Sequence, residues 1–197
     1  MPVDTIEELE ALYGAPSPRS LSKVVREMTP AYQRWVEASR FVILSTVGPE
    51  GVDASPRGDD GPALRIKDAS TLLLPDWRGN NRLDSLRNIV RDGRASLMLF
   101  ARGSTNVVRI NGKASLSVDP ELLASFEQKG RNPTTVIVFT IEEMYFQCAK
   151  AIMRAKLWSG EADDAPSAGD LLNEVDSTFD GKTYDDTYPE YAETRMW

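Results

Sequence analysis

The chain has no histidine and one cysteine, Cys148. Without histidine there can be no Ser-His-Asp or Cys-His nucleophilic arrangement, no histidine metal site and no histidine-ligated haem. One cysteine excludes an intrachain disulfide and a thiolate-rich metal site, and fits a reducing compartment. Cys148 is expected to be a packed structural residue, because a redox role needs an exposed thiol of low pKa. No apolar run approaches a membrane span and the N-terminus lacks a signal-peptide pattern, so a cytoplasmic chain without a membrane partner is expected. No Gly-x-Gly-x-x-Gly follows a strand, which leaves a Rossmann dinucleotide site unsupported. If the protein is an enzyme, an organic cofactor is expected to carry the chemistry.

The 197 residues carry a net charge of −7, unevenly spread. Residues 159–197 hold eleven acidic and two basic residues, a net −9, while residues 1–158 are nearly neutral at +2. No basic stripe stands out, so nucleic acid is not an expected partner. The division predicts one folded domain over 1–158 and an acidic tail over 159–197. The tail's Phe179, Tyr184, Tyr188, Tyr191 and Trp197 suggest that it packs, against its own domain or a partner chain, the other reading being a loosely ordered terminus.

Capping signals predict helices. Thr5 and Glu8 form a capping box for a helix through about Leu12, and a second helix is expected over Leu21–Met28. Thr29 precedes Pro30 at the first position of a third, with Tyr32, Trp35 and Val36 as its apolar stripe. Strands are expected over Phe41–Val47, Val52–Pro56, Ala63–Lys67, Thr71–Leu74, Ala95–Ala101, Asn106–Val118 and Thr134–Phe146. Gly48-Pro49-Glu50-Gly51 reads as a hairpin turn and Asn111-Gly112 as a turn or bulge. Further helices are expected over Arg82–Arg91, from Asp119-Pro120 to near Gly130, and over Ala149–Trp158. Meandering strands with few helices between them predict an antiparallel sheet closed into a barrel, mainly β with peripheral helices.

Four segments could carry chemistry. Pro75-Asp76-Trp77-Arg78-Gly79-Asn80-Asn81-Arg82-Leu83-Asp84-Ser85 joins a buried strand to a helix and holds two arginines and two asparagines. Free N–H groups and the helix dipole favour an anion there, and guanidinium groups match phosphate. Read differently, Asn81 is an N-cap with Asp84 completing a capping box, and the Asp84 carboxylate competes for the same N–H groups. Ser55-Pro56-Arg57-Gly58-Asp59 ends a strand, where Arg57 could reach an anion or lie in a surface turn. Arg109 alternates with apolar residues, and is paired, snorkelling or ligand-facing. Lys150, Arg154 and Trp158 fall at i, i+4 and i+8, one helix face that could clamp a phosphate and cover a ring, or simply be solvated.

Together these segments resemble the pyridoxamine 5′-phosphate oxidase-like FMN-binding split barrels. The likeness covers about residues 20–158. It is closest to a branch with Pro-Asp-x-x-Gly-Asn-Asn-Arg-x-Asp-Ser and Cys-Ala-Lys-Ala-x-x-Arg-x-x-Leu-Trp motifs, here Pro75 to Ser85 and Cys148 to Trp158. The resemblance implies a six-stranded split barrel, a homodimer, and FMN at the subunit interface. Ser55, Arg57, Pro75 and Asp76 would flank the ring and ribityl groups. Asn80, Asn81 and Arg82 match the phosphate segment. Lys150, Arg154 and Trp158 would complete the pocket, from the other subunit. The chain departs from the branch at Trp77-Arg78, Gln147 and Ala155. Its acidic, histidine-free tail also differs from the substrate segment of active pyridoxamine-phosphate oxidases, which argues against that activity. The expectation is an FMN-binding oxidoreductase acting on a small molecule. The alternatives are a non-catalytic flavin-sensing module and a barrel using another cofactor such as deazaflavin. No catalytic residue and no metal site is assigned.

Overall fold

A computed structural model describes residues 2–197. Thr5 accepts a hydrogen bond from the Glu8 N–H and caps α1 (Ile6–Tyr13). α2 is only Pro18–Ser22, behind Ser17. The helix expected over Leu21–Met28 therefore ends early. Val25 instead exchanges backbone hydrogen bonds with Met144, and the Met28 N–H donates to the Ala69 carbonyl. Backbone groups distant in sequence, in β7 and in the β3–β4 turn, satisfy this segment, so local helical spacing does not prevail. Thr29 caps α3 (Pro30–Ala38), which buries Val36 completely and lays Tyr32 and Trp35 against the core.

Seven strands follow: β1 (Ser39–Gly48), β2 (Gly51–Gly58), β3 (Arg65–Asp68), β4 (Thr71–Asp76), β5 (Arg94–Ala101), β6 (Val107–Ser117) and β7 (Thr135–Gln147). They pair in the order β2-β1-β5-β6-β7-β4-β3, every pair antiparallel. The protein is a split barrel of seven strands rather than six. β1 alternates buried Val42, Leu44 and Thr46 with more open neighbours, as one core-facing side requires. β4 is buried along Leu72–Asp76, because both of its faces are covered. The core includes Leu97, Leu99, Ile110, Ile137 and Phe139.

The β6–β7 register shifts by one residue at Asn111-Gly112, where a turn or bulge was expected: Asn111 pairs with Glu143 and Gly112 with Ile141, so the extra residue is Glu142 of β7 and β6 runs on without a turn. A Cβ at Gly112 would lie 2.0 Å from the Thr140 carbonyl oxygen, so this close approach needs glycine. α4 (Asp84–Arg91) packs on β1, β2 and β6. Gly93, at φ +82°, follows its end. α5 (Pro120–Ala124) stops well before Gly130. The chain turns through Lys129 and Gly130 at positive φ, and Gln128 pairs with Arg131. α6 is Lys150–Arg154 and does not reach Trp158. Residues 159–197 are not merely a tail: α7 (Ala168–Val175) and α8 (Gly181–Glu193) pack together as a helical hairpin.

Candidate functional site

β2 and β4 are not hydrogen-bonded to each other, because five strands separate the edge strand β2 from β3 at the opposite edge. A cavity of about 980 Å³ opens where they face each other, completed by the β4–α4 loop and the start of α4. Ser55, Arg57, Pro75, Asp76, Asn80, Asn81 and Arg82 all line it. Pro75 and Asp76 lie at the end of β4 rather than in the loop.

The period of β2 supplies one wall. Asp53, Ser55 and Arg57 share its less exposed face. Arg57 pairs with Asp76 across the split, and its Nε donates to Ser55 Oγ at 3.1 Å. Ser55 and Ser85 hydroxyls lie 3.1 Å apart, and Ser85 donates to Asp53. The direction of this chain follows: Asp53 takes the Ser85 proton, so Ser55 must donate to Ser85 while accepting from Arg57. Asp53 and Ser85 were missed as site residues. The alternation of Asp53 with Ser55 and Arg57 was the available signal, and Ser85 closes the loop motif.

The other wall is the loop. Asn80 Oδ1 accepts from the Arg82 N–H at 3.1 Å, and Asn81 and Leu83 take positive φ of 60° and 63°. The N-cap of α4 is Leu83, not Asn81, and no side chain caps it among the described residues. Left-handed backbone costs an L-residue about 1 kcal/mol, with asparagine the more tolerant. Arg82 pairs with Asp84 within the loop. Arg78 and Arg87 also line the cavity, and among the described residues neither makes an ion pair. Trp77 donates its indole N–H to Asp59 at 3.1 Å, and Gln128 donates to the same carboxylate at 3.1 and 3.2 Å. The early end of α5 sets up this last contact.

Within one chain Lys150, Arg154 and Trp158 do not line the cavity, and α6 is too short to place all three on one face. The Trp158 indole donates to the Ser104 carbonyl at 2.7 Å. Arg109 lies over the ring of its cross-strand neighbour Tyr145, 5.5 Å from the centroid, and is in no ion pair among the described residues. Cys148 is exposed, contrary to the packed position expected of it.

The family model described as pyridoxamine 5′-phosphate oxidase matches residues 28–148, from just before α3 through β7. The chain belongs to the pyridoxamine 5′-phosphate oxidase family. The matched span includes β2, β4 and the loop, and stops before α6 and the helical hairpin. No curated protein sequence matches the chain. Solved structures similar to it include Group A Streptococcus HupZ, at 15% identity over 59% of this chain and 91% of that one, TM-score 0.48. General Stress Protein 26 of Bacillus anthracis matches at 15% identity over 58% and 88%, TM-score 0.43. An FMN-binding protein of Syntrophomonas wolfei matches at 13% identity over 59% and 88%, TM-score 0.43. Family membership rests on the family model and not on these distant likenesses. Among the described residues, no helix is long and apolar enough to cross a membrane.

Proposed function

We propose that this chain is an FMN-binding flavoprotein, working as a homodimer and as an oxidoreductase on a small molecule. The observation that carries the reading is the meeting of the β2 wall and the arginine-bearing loop in one cavity. Its volume lies within the range of roughly 300–1,000 Å³ usual for ligand pockets. The donors suit a phosphate monoester: the Arg78, Arg82 and Arg87 guanidiniums, the Asn80 and Asn81 amides, and the first turn of α4, which no side chain caps. Thr135, also on the lining, has a buried hydroxyl without a partner among the described residues.

FMN, when bound, accepts and passes on electrons through its ring. Arg82 and its neighbours would hold the phosphate. Arg57, fixed by Asp76 and Ser55, would present a guanidinium whose orientation does not depend on the ligand. With no histidine in the chain, no imidazole serves here, and the carboxylates and hydroxyls on the cavity lining, such as Asp53, Ser55 and Ser85, would be the nearest proton-exchanging groups.

The test begins with the visible spectrum of the purified protein, followed by titration with FMN and with riboflavin. One FMN per chain is expected, bound at least tenfold more tightly than riboflavin, which lacks the phosphate. Equal binding of the two, or none, would remove the reading. Reduction of the bound flavin by a nicotinamide or other donor then separates an oxidoreductase from a module that only holds flavin.

A further inference from the structure

Two short helices of this chain bear exposed apolar faces, one rimmed by acid and the other by base. On α7, Leu171, Leu172 and Val175 share one side, with Glu174 at its edge. All three are exposed, Val175 to 88%. Gly169 lies on a different side of α7, where it meets Gly181 of α8. A Cβ on either glycine would lie 2.2 or 2.4 Å from the other's carbonyl oxygen. Asp185 braces the same junction, accepting from the Ser167 hydroxyl and from the Gly169 N–H at 2.9 Å. The two helices pack on each other, and on no other helix or strand to a comparable extent. The hairpin is tied to the barrel at its end, by Trp197 against Trp77 and by the Arg131 bond to the Trp197 carbonyl. Its Leu171–Val175 face is left uncovered.

The segment Lys150–Trp158 is its counterpart. Met153 on α6 and Leu157 just beyond it are 62% and 50% exposed. Lys150, Arg154 and Lys156 flank them, and no acidic residue falls between Cys148 and Trp158. Among the described residues these three cations make no ion pair, and neither does Glu174. Residues 148–158 thus carry +3, against the −9 of residues 159–197. Exposed apolar residues standing singly are ordinary, but two apolar faces with rims of opposite charge are complementary. Within one chain they do not pack on each other.

We propose that the Leu171–Val175 face of one copy receives the Lys150–Trp158 segment of a second copy, apolar residues at the centre and Glu174 against the cations. A two-fold pair of copies makes this contact twice, so the assembly closes on itself, and any one substitution acts at two places. The proposal rests on the homodimer in the functional reading and names surfaces that join it.

The experiment is fluorescence-detected sedimentation of the full chain, labelled at its N-terminus and diluted into the nanomolar range, without flavin. Wild type is expected to dimerise. Val175→Ser, Glu174→Lys and Arg154→Glu are each expected to weaken the dimer about tenfold or more, with the circular dichroism spectrum unchanged. Glu174→Lys and Arg154→Glu combined in one chain are expected to return it to within about threefold of wild type, because opposite charges face each other again. If any of the three single variants dimerises as tightly as wild type, or the combined variant is weaker than both of its parents, the contact is overturned and the homodimer stands on another surface. A wild-type chain that stays monomeric removes the homodimer and the contact together. Because no flavin is present, failure of the cofactor reading leaves this result untouched.

Discussion

Arg57 and Asp76 form an ion pair between β2 and β4, two strands that share no backbone hydrogen bond. The pair fastens the split of the barrel at the cavity, and a ligand there lies against a wall that is already set. Both side chains are largely sheltered, 21% and 13% exposed. Removing one partner of a fully buried pair costs about 3–5 kcal/mol, and partial exposure reduces this. Asp76→Asn is therefore expected to lower the unfolding free energy by about 2 kcal/mol. Denaturant melts with an unchanged m-value would measure it. A loss below about 0.5 kcal/mol would show that the pair does not fasten the split.

Gly112 tests the middle of the same sheet. Its missing Cβ lets β6 and β7 cross at the bulge, where backbone and not a flexible side chain stands in the way. Gly112→Ala is expected to destabilise the chain by about 3 kcal/mol, the upper end for overpacking. Gly61→Ala meets nothing within 4 Å and is expected to stay within about 0.5 kcal/mol of wild type. Thermal melts of the two side by side are the measurement. Equal melting temperatures would show that the bulge relaxes around the methyl.

The contrast between these positions shows what the sequence made legible. Thr5, Thr29-Pro30 and Asp119-Pro120 act within one helical turn, and the helices begin where these residues place them. The Gly48–Gly51 hairpin and the Asn111-Gly112 bulge are equally local. Readings failed where a distant partner took over: Val25 leaves a helical pattern to pair with Met144, and Gln128 leaves the expected end of α5 to reach Asp59. At the site, the alternation of β2 and the loop motif were readable one by one. Their convergence was not, because Arg57 and Asp76 meet only once the sheet has curled. The reach of Tyr188 and Met196 into the cavity, with Trp197 against Trp77, had no local signal beyond an aromatic-rich tail.

Acid sensitivity should appear at the turn that ends α4. The Arg94 side chain and backbone N–H both donate to Asp92, which lowers its carboxyl pKa from 3.8 to about 2. A depressed folded-state value means that the ionised form is favoured by folding. Its contribution is complete above the unfolded pKa, near 4, and is lost as pH falls from there through about 2. Carboxyl NMR titration is expected to give a midpoint near 2. In Arg94→Ala the midpoint should rise but stop short of 3.8, because the backbone N–H remains. A variant titrating like the wild type would remove the guanidinium as the main cause.

Arg82 and Asp84 pair at the start of α4, in the segment proposed to hold the phosphate. The Arg82 guanidinium bonds the Asp84 carboxylate, yet the Arg82 side chain is 78% exposed and free to turn toward a ligand. A phosphate bearing up to two charges should displace a single exposed carboxylate, since exposed pairs contribute only about 0–1 kcal/mol. Charge-assisted hydrogen bonds contribute roughly 1.5–3 kcal/mol. Arg82→Ala is therefore expected to weaken FMN binding by about tenfold to a hundredfold and to leave riboflavin affinity unchanged. Asp84→Ala should move FMN the other way, tightening it a few-fold by freeing the guanidinium. Flavin fluorescence titrations of both variants with both ligands form a closed test. If Arg82→Ala weakens riboflavin as much as FMN, the arginine shapes the loop and does not hold the phosphate. If Asp84→Ala weakens FMN, the carboxylate positions Arg82 for the ligand and does not compete for it.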